Sequence, residues 1–192
     1  MSATQPIKNR EKLERFRNYY KETDYQPRNY ALIVLGLNSA LRISDILELQ
    51  WNDVYDRGKF RKHIYVIEKK TKKENILAMN PSSLEALEIY RKTLTDFHES
   101  DYIFCSKNNS KSPLSRSQAF RIIKKAAACC GLENQHISCH SLRKTFGYYA
   151  WQGGTPPALL MSIYNHSSYE ITKRYLCIDQ MEKDEVYLKN VL

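Results

Sequence analysis

A mainly α-helical α+β domain with one small antiparallel β-sheet is predicted from three features of the 192-residue sequence. Apolar side chains recur at three- and four-residue steps through most of the chain. Between residues 60 and 80 that period gives way to short β-branched runs. Proline, serine and glycine fall where the periodic segments begin and end.

In chain order, residues 8–22 (KNREKLERFRNYYKE) read as a polar surface helix. Residues 28–40 (RNYALIVLGLNSA) are the most apolar stretch and read as a buried helix. In LRISDILELQWNDV, starting at Leu41, the side chains of Ile43, Ile46, Leu47 and Leu49 share roughly one face. Ser44 or Asp45 is available as its cap, which places Arg42 at a helix entrance. HIYVIEKK (63–70) and ENILAMN (74–80) flank Thr71-Lys72-Lys73 as a hairpin. Pro81 fits the first turn of a helix over 81–97, in which Leu84, Leu87 and Tyr90 recur. Ser115 caps and Gly131 ends a helix over 115–131. Further helices follow at 141–152, stopped by Gly153-Gly154, near 156–163, and over 168–176 and 180–190.

Thirty Lys+Arg against twenty-one Asp+Glu leave a net charge of +9. This favours a polyanionic partner, nucleic acid first, because such affinity is built from neutralised phosphates. Ribosomal or membrane-surface binding would give a similar excess. The hydrophobic share of 42% is that of a folded globular protein rather than a disordered one. Cys105, Cys129, Cys130, Cys139 and Cys177 are odd in number and form no CxxC, which argues against a disulfide framework or a zinc site. MSATQPIKNREK has no apolar signal segment and no run is long enough to span a membrane, so a cytoplasmic, reduced protein is expected.

The last third carries the chemistry. His140 and Arg143 are three apart and project to one side of a helix start. His166 lies 23 positions after Arg143, and Tyr175 nine after His166. With Arg42 they place two arginines, two histidines and a tyrosine where they could surround one phosphodiester. Guanidinium forks grip phosphate oxygens in pairs. A tyrosine hydroxyl can attack phosphorus where the developing charge is stabilised. Tyr169 is a local competitor for Tyr175, and His136 reads as a surface loop residue.

Ala40-Leu41-Arg42-Ile43-Ser44-Asp45, Lys70-Thr71-Lys72-Lys73, His140-Ser141-Leu142-Arg143, Asn165-His166 and Lys173-Arg174-Tyr175 together resemble the tyrosine recombinases, or phage-type integrases, over about residues 10–188. The resemblance implies the catalytic-domain fold of that family and DNA cleavage and rejoining with no metal, cofactor or ATP. It implies that Arg42 and Arg143 clamp the scissile phosphate and that Tyr175 forms a 3′-phosphotyrosyl link. It further implies that His140 takes the tyrosine proton, His166 donates to phosphate, and Lys70 protonates the leaving 5′-oxygen, with Lys72 the next candidate. Asp45 resembles an acidic residue that orients Arg42 or its neighbours, although an N-cap role fits equally. Lys69, Lys72 and Lys73 would touch DNA backbone, and Arg116, Arg121, Lys124 and Lys125 lie on a helix that the family directs at the major groove. An ordinary polar helix face is the alternative for those four. The family more often has Leu-Gly-His where this chain has Tyr164-Asn165-His166.

The expected partner is double-stranded DNA, engaged by a homotetramer on paired sites, with a monomer in its absence and no membrane association. Residues 1–192 read as a single catalytic domain without the family's N-terminal DNA-clamping domain, either cut from a longer integrase or a short natural recombinase. Residues 177–192 would form a tail docking on a neighbouring protomer. Relaxation of supercoils in the manner of a type IB topoisomerase, and non-catalytic DNA binding on the same fold, are the rival readings.

Overall fold

A computed structural model describes residues 4–96, 98–106, 109–178 and 180–189. Helix α1 (Arg10–Asn18) begins where the Asn9 side chain accepts the Lys12 N–H, and it buries Phe16. A single π-helical turn, Tyr19–Thr23, then delivers Tyr19 and Tyr20 to the core. In α2 (Pro27–Asn38) every residue from Asn29 to Leu37 is buried, as its apolar run demands. It is the axis of the domain, with α5 (Pro81–Arg91) and α7 (Cys139–Gln152) packed against it. The approach of α7 requires glycine at position 36, since a Cβ there would lie 2.5 Å from Leu142 Cδ1.

The periodic stretch from Leu41 to Val54 forms two single-turn helices, α3 (Ile43–Ile46) and α4 (Trp51–Val54). Pairing with a distant segment breaks it. Gln50 bridges Tyr102, the Trp51 N–H donates to Asp101 O at 3.0 Å, and the Ile103 N–H donates to Leu49 O at 2.9 Å. Such tertiary hydrogen bonds override local periodicity. Neither Ser44 nor Asp45 caps α3. Arg42 holds the N-cap position in extended conformation, and Asp45 lies buried inside the first turn.

Among the described residues three two-stranded antiparallel sheets are present where one was expected. The expected one is β3 (His63–Ile67) with β4 (Glu74–Ala78), Tyr65 opposite Ile76. Strands β1 (Tyr55–Asp56) and β2 (Lys59–Phe60) pair across Arg57 and Gly58, both left-handed as a two-residue primed turn requires. Strand β5 (Cys105–Ser106) pairs with β6 (Asn109–Pro113). Two-residue strands are too short to display an alternating pattern, so sequence periodicity misses them.

Helix α5 ends at Arg91, six residues before the expected limit, and Phe97 lies outside the described residues. Helix α6 (Arg116–Cys129) starts with a reciprocal capping box between Ser115 and Gln118, and left-handed Gly131 follows its end. Helices α8 (Pro157–Ile163), α9 (Tyr169–Leu176) and α10 (Gln180–Lys189) complete the chain, and the tail beyond Lys189 lies outside the described residues. Buried Lys144 of α7 donates to Thr4 O at 2.7 Å and to Cys177 Sγ at 3.5 Å, tying the chain start to the end of α9. Among the described residues no helix is long and apolar enough to cross a membrane.

Candidate active site

The site forms where the start of α7, the entrance to α3, the β3–β4 turn and helix α9 meet. Arg143, one turn into α7, is 2% exposed. Its Nη1 donates to Ala40 O and its Nη2 to Tyr164 O at 2.9 Å, while Nε has no partner. Ala40 is left-handed (φ 55°), which turns its carbonyl region toward α7 just before Arg42. Arg42 Nη1 pairs at 2.5 Å with Glu68 Oε2, and the other oxygen of that carboxylate lies 3.8 Å from Arg143 Nη1. Glu68 is fully buried, and Thr71 Oγ1 also donates to its Oε2 at 2.6 Å. Burial raises the Glu68 carboxyl, but the Thr71 hydrogen bond and the two arginines outweigh it and hold the group below the usual carboxylate range.

Tyr164 is fully buried and fills the space beneath the site. Its hydroxyl donates to Arg143 O at 2.8 Å, its ring lies 4.7 Å from the Arg143 guanidinium, and it stacks on His166 at 5.1 Å. Asn165 adopts φ 53°, a left-handed conformation that asparagine tolerates better than most side chains. His166 follows with its Nδ1 3.0 Å from Thr172 Oγ1.

Half-buried Tyr175 stands in the middle. Its ring centroid is 5.2 Å from that of His166, 5.2 Å from Tyr164 and 6.5 Å from His140. The Arg143 guanidinium is 5.9 Å from the ring centroid, and Lys144 Nζ is 5.5 Å from it. Burial raises the phenol above its ordinary pKa while Arg143 and Arg42 pull it back. Burial first, then the charges of Arg143, Lys144, Arg42 and Arg116, depress His140. Burial and the two arginines, against an opposing pull from Glu68, bring His166 down to about 4. Both imidazoles are therefore neutral near pH 7. Tyr169, the competing tyrosine, is exposed at the start of α9.

The depressed His166 has a thermodynamic consequence. As pH falls from 6.5 to about 4 the unfolded chain takes up a proton that folded His166 refuses. Stability must decline across that window. Urea midpoints measured between pH 7 and pH 4 should fall, with a shallower slope in His166→Asn; equal slopes would show that another group carries the effect.

The remaining sequence-selected residues lie on the β3–β4 turn, on α6 and in the loop before α7. Lys70 is exposed in the β3–β4 turn, and its amino group pairs with no described residue. Lys72, left-handed at φ 59°, and Lys73 are also exposed there. Lys69 Nζ pairs with Glu48 at 2.6 Å, and its backbone N–H donates to Asp45 Oδ1 at 3.0 Å. Asp45 thus fixes the hairpin backbone, while the Arg42 side chain pairs with Glu68 instead. On α6, Arg116 and Arg121 are exposed beside Ile43 and His140, Lys124 is half-buried, and Lys125 is bound to Asp24 at 2.8 Å. His136 is exposed. Glu68 was not among the residues selected from sequence. Its signal was the alternation Ile64, Val66, Glu68, which continues the inward face of β3 one residue past its end.

The phage integrase family matches residues 9–182, and the chain belongs to it. It is accordingly a tyrosine recombinase. It is 44% identical over 182 residues to the probable integrase/recombinase YoeC of Bacillus subtilis (strain 168), covering 94% of this chain and 93% of that one. It is 27% identical over 152 residues to the tyrosine recombinase XerD of Rickettsia bellii (strain RML369-C), covering 76% of this chain but only 50% of the relative. The crystal structure of XerA recombinase shares the fold with a TM-score of 0.80 at 20% identity, over 100% of this chain and 66% of that one.

Proposed function

We propose that this chain cuts and rejoins double-stranded DNA at specific sites, for integration, excision or inversion, through a 3′-phosphotyrosyl intermediate and without ATP. The observation that carries the reading is the gathering of His140, His166 and the Arg143 guanidinium within 6.5 Å of the Tyr175 ring. Tyr175 Oη attacks phosphorus as the bond to the 5′-oxygen breaks. Neutral His140 accepts the phenolic proton, and Lys70 delivers one to the departing 5′-oxygen. Arg42 and Arg143 offset charge on the non-bridging oxygens. His166 supplies a second donor. Rejoining reverses these steps, because the bond energy is kept in the phosphotyrosine.

Lys69, Lys72, Lys73, Arg116, Arg121, Lys124 and Lys125 would meet DNA. The exposed ion pairs of Lys69 and Lys125 cost little to exchange for phosphates. We further propose assembly as a homotetramer on paired sites and a monomer in their absence. The exposed Val186, Tyr187 and Leu188 of α10 support docking of that helix on a neighbouring copy. The expected setting is the cytoplasm.

A pool of nicked duplexes of randomised sequence tests the chemistry, since a nick beside the scissile phosphate traps the intermediate. Wild-type chain should yield a protein–DNA adduct that survives detergent, and Tyr175→Phe should yield none. No adduct from any duplex in the pool defeats the reading, and an adduct with Tyr175→Phe defeats the choice of nucleophile.

A further inference from the structure

We infer that Glu68 is a positioning residue that holds Arg42 and Arg143 as one pair and ties that pair to the lysine-bearing hairpin. The inference rests on the strand-exchange reading above and concerns a residue outside the motifs that support it. Glu68 is fully buried just beyond the end of β3, and its two oxygens face the two arginines. A buried carboxylate persists only where charge and hydrogen bonds compensate its lost hydration. Here Arg42 Nη1 at 2.5 Å and Thr71 Oγ1 at 2.6 Å satisfy Oε2. Oε1 has no hydrogen bond and answers only to the Arg143 charge at 3.8 Å. Two guanidinium groups aimed at one phosphate repel each other while the site is empty. The Glu68 charge removes that repulsion and keeps Arg42 turned inward.

The connection to the hairpin runs in both directions. Glu68 reaches from the hairpin to Arg42, and Asp45 reaches from the Arg42 segment back to the Lys69 N–H at 3.0 Å. Lys70 is the next residue. The phosphate clamp and the lysine turn are therefore cross-braced at two points and move as one unit.

Glu68→Gln keeps the volume and an acceptor for Thr71 but removes the charge. A space-filling role would survive this change, whereas a positioning role through charge would not. On the nicked duplexes captured by wild type, the adduct rate at saturating DNA should fall about tenfold or more. DNA affinity should hold or tighten, because the site becomes one charge more positive. In an Arg42→Ala background the substitution should cost nothing further. Thr71→Val, which frees the carboxylate from its hydroxyl but keeps the charge, should lower the rate less. It also serves as the readable variant if Glu68→Gln folds poorly. Independently of activity, a urea-unfolding cycle of Arg42→Ala and Glu68→Gln should show coupling of about tenfold or more in the unfolding constant. A wild-type rate in Glu68→Gln, losses that multiply with Arg42→Ala, or coupling near unity would each overturn the inference. If wild type forms no adduct, the strand-exchange reading has failed, and the unfolding cycle still decides whether Glu68 holds Arg42.

Discussion

Gly147→Ala is expected to lose about 3 kcal/mol of stability, the upper range for overpacking a filled core, and Tyr164→Leu to restore much of it. A Cβ on residue 147 would lie 2.0 Å from the Tyr164 hydroxyl, 2.9 Å from Cζ and 3.0 Å from Cε2. The ring has nowhere to retreat. It is fully buried, stacked on His166, set over the Arg143 guanidinium and anchored through its hydroxyl to Arg143 O. Leucine removes the outer ring and the hydroxyl, and with them the collision. The single change Tyr164→Leu carries its own cost, including one hydrogen bond to a buried carbonyl worth about 1 kcal/mol. Urea denaturation of the four proteins at pH 7 tests the pairing. The double variant should be more stable than Gly147→Ala alone, and simple additivity would mean that the helix absorbs the methyl some other way.

Arg143→Lys is expected to damage fold and chemistry together. The guanidinium is planar and serves two carbonyls from different parts of the chain, Ala40 O and Tyr164 O. An ammonium on a flexible stem cannot reproduce that fork. One buried carbonyl is then unpaired and Glu68 Oε1 loses its facing charge, a combined cost of about 3 kcal/mol. If the proposed role holds, the adduct rate on nicked duplexes should fall about a hundredfold or more, the scale of removing one donor to a developing oxyanion. A folded Arg143→Lys protein with an unchanged rate would remove Arg143 from the catalytic set.

Much of this architecture is visible in the primary structure because the relevant signals are local. Pro81, Ser115 and Gly131 mark helix boundaries through backbone preferences that act within one turn. The buried helix around Ile33 announces itself by composition alone. The spacings that single out His140, Arg143, His166 and Tyr175 lead to one cluster in space, as the ring distances around Tyr175 show, and Arg42 joins it through the Glu68 carboxylate it shares with Arg143. What escaped depends on partners far away in sequence. Asp45 resembled a cap because its buried use, accepting the Lys69 N–H, lies across a gap that no local pattern spans. Glu68 sits in a run of lysines that reads as a solvated surface, and only the strand's alternation betrays its inward turn. The break between α3 and α4 arises from hydrogen bonds to Asp101, Tyr102 and Ile103, which no window centred on Gln50 contains.

The double anchorage of Arg143 makes the parts of the cluster unequally dispensable. Tyr175 can lose its hydroxyl and keep every ring contact, so a chain can fall chemically silent at this position while its scaffold persists. Arg143 offers no such exit, since the group proposed to meet the phosphate is also the clasp between the α3 entrance and the turn before His166. A descendant lineage that abandoned DNA cleavage would be expected to discard the tyrosine early and to retain the arginine long afterwards, as architecture outliving its trade.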